Sequence, residues 1–197
     1  MTISAAIVKE LREKTGVGMM DCKRALEETD GNLEKAMEVL RKKGLAAVAK
    51  RAGRVTSEGV IASYIHPGER LGVLVEVNCE TDFVARTPDF RAFVKEIAMQ
   101  VAAANPLVMR REDLLAEDVE REKEIYRDQA RSQGKPDTII EKIVQGKMEK
   151  YYQEVCLLDQ QFIKDSDKRV SDLLNDVKMK LGENIIIKRF ARFRLGE

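Results

Sequence analysis

The chain has 197 residues, enough for one or two domains with a real hydrophobic core. Its 35 basic and 34 acidic residues leave a formal net charge of +1, so bulk electrostatics give the whole protein no reason to sit on nucleic acid or an anionic membrane. Cys22, Cys79 and Cys156 are far apart and form no CxxC pair, and His66 is the only histidine. That inventory argues against a zinc site and suits a reducing compartment. With no apolar signal region at the start and no run long enough to span a bilayer, the expectation is a cytoplasmic protein.

Residues 1–44 read as three short helices. Ser4 can cap the first, with Ala5, Val8 and Leu11 as apolar positions, and Thr15-Gly16-Val17-Gly18 breaks it. The second spans about Met19 to Glu28 and buries Cys22, Ala25 and Leu26. Asp30-Gly31 turns the chain, and Asn32 caps the third, whose Leu33, Ala36, Met37 and Leu40 recur at helical spacing. Gly44 reads as its C-terminal stop. Residues 45–57 then read as a basic linker, the cationic stretch running from Arg41 through Lys42, Lys43, Lys50 and Arg51 to Arg54. It reads as a solvated tether or, alternatively, as a contact for RNA or an acidic partner.

From residue 58 to 197 the pattern is that of an α+β core. Val60–Ile65 and Leu71–Val77 flank His66-Pro67-Gly68-Glu69-Arg70, a turn by its Pro-Gly pair, and so predict an antiparallel hairpin. A helix from Pro88 to about Ala104 carries Phe90, Phe93, Val94, Ile97, Ala98 and Val101 on one face. Two charged helices with a thin apolar seam follow over about 116–155, separated by Gly134-Lys135-Pro136-Asp137, and read as a projecting antiparallel helical hairpin. A helix from about Asp167 to Leu181, stopped by Gly182, leads to a β-prone tail (Ile185, Ile186, Ile187, Phe190, Phe193) that would complete a three-stranded antiparallel sheet packed by helices.

The stretch Glu76-Val77-Asn78-Cys79-Glu80-Thr81-Asp82-Phe83-Val84-Ala85-Arg86 leaves the second strand and sets an acid, a large aromatic and a base side by side in a short connection. Thr87 can cap the next helix, and Pro88 suits its first position. A lone aromatic there either folds back into the core or waits for a partner, and the local residues leave both open. No catalytic constellation accompanies it. His66 stands in a turn with no nucleophile near it in sequence, and no Gly-rich loop precedes a Lys-Ser/Thr, so no catalytic residue, cofactor or metal is expected.

This stretch resembles the core signature of elongation factor Ts. Leu11-Arg12-Glu13-Lys14-Thr15-Gly16-Val17-Gly18-Met19-Met20-Asp21-Cys22-Lys23-Arg24-Ala25-Leu26 resembles the N-terminal signature of the same family. Two signatures in the right order are far more specific than one. The resemblance implies a guanine nucleotide exchange factor for elongation factor Tu, binding that GTPase in its GDP-bound and nucleotide-free forms without covalent chemistry. It also implies that the three N-terminal helices form a bundle of the ubiquitin-associated type. Asp82 and Phe83 are implied to enter the partner near its magnesium site, framed by Thr81, Val84 and Arg86. The bundle is implied to touch the GTPase through Arg12, Met19 and Met20, with one of the two methionines expected in the core.

Longer relatives carry the aspartate-phenylalanine motif and a histidine loop on two related core halves, whereas here one hairpin carries both, Ser63-Tyr64-Ile65-His66 resembling the histidine loop. That departure resembles the short form of the family and implies a homodimer joined through the sheet domains, with two GTPase molecules bound and His66 of one chain completing the site of the other. An ordinary turn histidine is the alternative for His66. The last strand carries no cysteine, so no covalent dimer through it is expected. Two other classes stay open on the residues: an RNA- or ribosome-binding adaptor using Arg41 to Arg54, and a general interaction module built on the bundle.

Overall fold

A computed structural model of the chain describes residues 3–197. These form two units, one from residues 3–59, Asn78–Arg91 and Leu174–Ile186, the other from Val60–Val77, Ala92–Leu173 and Ile187–Glu197.

In the first unit α1 (Ala5–Thr15), α2 (Met19–Glu28) and α3 (Leu33–Arg51) make the expected bundle. Ser4 Oγ accepts the Ile7 N–H and Asn32 Oδ1 the Lys35 N–H, so both predicted caps satisfy donors that the first turn leaves orphaned. Gly16 ends α1 at φ 67°, a left-handed conformation that costs glycine nothing. Val8, Leu11, Cys22, Ala25, Leu26, Ala36 and Leu40 form the buried core, with Ile7, Leu33 and Met37 packed against it. The third helix does not stop at Gly44. It runs on to Arg51, so the first half of the expected linker is helical. A Cβ at Gly44 would come within 2.3 Å of Met179 Sδ, so this glycine permits close approach and does not end the helix.

The hairpin strands are β1 (Glu58–Ile65) and β2 (Leu71–Cys79). Between them the Glu69 N–H donates to His66 O across Pro67-Gly68, with Gly68 at φ 91°, as a Pro-Gly turn of type II requires. Two helices follow: the single turn α4 (Asp82–Ala85) and then α5 (Pro88–Ala104). All six apolar positions predicted to face inward on α5 are buried. α6 (Ala116–Ser132) and α7 (Asp137–Val155) form the helical hairpin, turning at Gly134 (φ 68°) over a seam of Ala130, Ile140, Val144 and Met148. Arg111 ties its base. It spans Glu149 (2.9 and 3.0 Å) and Asp159 (2.6 and 3.1 Å), and its guanidinium lies 4.5 Å from the centre of the Tyr152 ring.

The short antiparallel pair β3 (Gln161–Phe162) and β4 (Asp165–Arg169) precedes α8 (Val170–Leu181). The helix expected from Asp167 therefore starts at Val170, because residues 165–169 pair with β3 instead. β5 (Ile185–Arg194) completes the three-stranded sheet in the order β1-β2-β5. The Leu195 N–H donates to Arg70 O, joining the end of β5 to the start of β2, which makes the pair antiparallel. Val73, Val75 and Val77 of β2 alternate inward as period two demands. On β5 the inward parity changes after Ile187: Phe190 and Arg192 turn in, the latter reaching Ala102 O of α5, while Phe193 and Leu195 turn out. The sheet thus has one covered face and one open face carrying Ile61, Ile65, Leu74, Phe193 and Leu195.

Candidate functional site

The candidate loop hangs from the last residues of β2 in the first unit. Cys79 is fully buried, and its Sγ–H donates to Thr81 O at 3.2 Å. Burial, and then the negative charge of Glu183, push this thiol up to about 11, so it stays protonated as a donor. Thr81 Oγ accepts the Val84 N–H at 3.4 Å and so caps α4. At the other end the Arg86 N–H donates to Asp82 O and Phe83 O, and Thr87 Oγ–H donates to Val84 O at 2.8 Å. Ala85 is buried beneath the turn and Val84 is half-buried. The turn is therefore pinned from both ends and from below.

Phe83 stands on this pinned turn with 79% of its surface exposed, resolving the choice between core and surface. Beside it Asp82 is paired with Arg86 at 2.8 Å, the two side chains being 44% and 74% exposed. An ion pair so open to water contributes little to stability and is readily exchanged for a partner's charge. Thr81, Asp82, Phe83, Val84 and Arg86 thus do share one small element, as their spacing requires.

Arg12, Met19 and Met20 belong to the same unit, on α1 and α2. The expectation that one methionine is core is corrected: Met19 is 47% and Met20 65% exposed, because Cys22, Ala25 and Leu26 already fill the inward face of α2. His66 lies in the second unit, exposed, with Nδ1 3.0 Å from Tyr64 Oη. The basic stretch is not a free cationic strip. Lys42 pairs with Glu38, Lys43 with Glu28 and Arg54 with Glu80.

Sequence reading missed the groups that hold the loop from outside. Glu183 accepts from the Glu80 N–H, the Thr81 N–H and Thr81 Oγ–H, across 103 positions of chain for the first of these. Glu80 in turn accepts the Asn184 N–H and pairs with Arg54, and these partners hold its carboxyl below the usual range. No local pattern marks Glu183, since only the fold brings it to the loop.

A locked turn that exposes an aromatic ring beside a loosely paired acid can dock into another surface without ordering itself first. That geometry suits the binding of another surface. Residues 6–197 match the family described as Elongation factor TS. The chain is 60% identical over 195 residues to elongation factor Ts of Desulforamulus reducens, covering 99% of this chain and 90% of that one. It is 61% identical over 197 residues to that of Geobacter metallireducens, covering 100% and 91%. To that of Caldanaerobacter subterraneus subsp. tengcongensis it is 62% identical over 195 residues, covering 99% and 98%. The chain belongs to the elongation factor Ts family, a family of translation elongation factors. Among the described residues no helix is long and apolar enough to cross a membrane.

Proposed function

We propose that this chain is the guanine nucleotide exchange factor of elongation factor Tu, and that it works by docking Phe83 and Asp82 against the GTPase. The observation that carries the reading is the 79% exposure of Phe83 on a turn pinned at both ends. A ring held out on a fixed turn beside an acid offers a partner apolar area to bury at little ordering cost. Burial in a partner pocket contributes roughly 1.5–3 kcal/mol, and placed beside a metal-phosphate site it disturbs packing that GDP needs. Asp82, released from Arg86, supplies a negative charge that perturbs the surroundings of the magnesium ion. Linkage then requires reciprocity: the factor weakens GDP binding by the same factor by which GDP weakens the factor's binding. Arg12 and the exposed pair Met19 and Met20 offer the bundle's contact to the same GTPase.

The homodimer belongs to this reading. Its support is the open sheet face, where Ile65, Gly72, Leu74, Phe193 and Leu195 line a groove of about 580 Å³. Two such faces together remove exposed apolar surface that a lone sheet leaves wet. His66 then serves the partner chain's site. Release of a fluorescent GDP from elongation factor Tu, with and without the chain, tests the function. Acceleration that Phe83→Ala largely removes is the expected result, and no acceleration of an active GTPase refutes it.

A further inference from the structure

We infer that Glu183 is a positioning residue for the docking turn, acting with Glu80 as a reciprocal clamp; the inference rests on the reading of residues 81–86 as the element that meets the GTPase. Two chain reversals face each other here, the β2-to-α4 corner and the α8-to-β5 corner. Each offers a carboxylate to the other's backbone. One Glu183 oxygen takes both the Glu80 N–H (3.0 Å) and the Thr81 N–H (3.2 Å), while the second takes the Thr81 hydroxyl at 2.6 Å. In return Glu80 takes the Asn184 N–H at 2.6 Å and the Arg54 guanidinium at 3.2 Å.

The far corner is itself held. Gly182 leaves α8 at φ 74° with its N–H on Lys178 O, and Asn184 is 3% exposed with its side-chain amide on Ala52 O and Arg54 O. Glu183 thus sits between a left-handed glycine and a buried asparagine, with little freedom to aim elsewhere. Its three acceptor contacts fall on the residue that caps α4 and on the one before it, so they set the direction of the turn that carries Asp82 and Phe83. Without them the Thr81 hydroxyl loses its orienting acceptor, and two backbone donors turn to water.

A clamp of this kind acts by keeping the docking-competent form populated in the free protein. Losing it multiplies apparent affinity by the fraction of competent loops, so the apparent Kd rises, and leaves the docked state itself unchanged. Hydrogen–deuterium exchange of the free chain should show the amides of residues 80–84 exchanging about tenfold faster or more in Glu183→Ala, with the bundle amides unchanged. In the GDP-release titration the same variant should raise the half-saturating concentration about tenfold, with the saturating rate kept within about threefold. Glu183→Gln retains one acceptor oxygen for the two N–H groups and should recover most of both readouts. Wild-type protection together with wild-type half-saturation in Glu183→Ala overturns the inference. So does loss of protection spread equally over the bundle, which would make Glu183 a general stabiliser. If the wild-type chain releases no GDP, the exchange-factor reading fails on its own, and the amide measurement still decides whether the clamp orders the loop.

Discussion

Phe83→Ala removes a ring that is four-fifths exposed at 79% and stands on a turn whose hydrogen bonds all run through backbone and neighbouring side chains. Folding therefore has little to lose. The expected stability change is within about 0.5 kcal/mol, which for a chain of this size moves the melting temperature by about 1–2 °C. Alanine is also the better helix former, which offsets part of any loss. Docking has much more to lose. Burying the exposed part of a phenylalanine is worth about 1–2.5 kcal/mol, and at 1.4 kcal/mol per factor of ten this weakens productive engagement of the GTPase roughly 5- to 60-fold. Stopped-flow release of fluorescent GDP over a range of factor concentrations reads the second effect, and calorimetry reads the first. A melting temperature lowered by more than about 5 °C would show that the ring supports the fold. An unchanged titration would show that it does not dock. Either outcome refutes the reasoning.

Leu74→Lys places a charge on the open sheet face, and sedimentation should shift from dimer to monomer; a wild-type chain that already sediments as a monomer contradicts the face-to-face assembly. Arg111→Ala breaks the link to Asp159 and Glu149 and the stacking on Tyr152, and should cost about 1–2 kcal/mol in urea unfolding, the half-exposed Glu149 contributing the smaller share. A change under about 0.5 kcal/mol would mean that the network is only a surface ion pair. The Glu80 carboxyl is held below its ordinary value of 4.5, chiefly by the Asn184 N–H and then by Arg54. In acid the unfolded chain then binds the proton more readily than the folded one. Glu80's contribution is thus whole above the ordinary value and is lost as pH falls through the lower folded value. Urea midpoints should hold steady from about pH 7 to about pH 5 and fall below that, less steeply in Glu80→Gln; an identical acid slope in that variant removes Glu80 from the account.

Much of the fold was legible because it is written in local chemistry. The caps Ser4, Asn32 and Thr87, the Pro67-Gly68 turn and the six buried positions of α5 depend on residues a few places apart. So do both signatures that carry the family resemblance. The misreadings share a different origin. Gly44 looks like a stop until Met179, far along the chain, is found packed against it. Residues 165–169 are exposed throughout and show no period, so nothing but their pairing with β3 marks them as a strand.

By itself the sequence determined most of the helices, the three strands of the main sheet, which faces of them are apolar and which loop carries the aspartate-phenylalanine pair. These follow from side-chain periods of 3.6 and 2 and from the backbone preferences of Gly, Pro, Ser, Thr and Asn. Only the tertiary structure decided that Phe83 points outward, that Met19 and Met20 are both exposed, and that a carboxylate 103 positions from Glu80 holds the turn in place. Each of these depends on what fills the space around a residue, and that is settled by elements the chain brings back from far away.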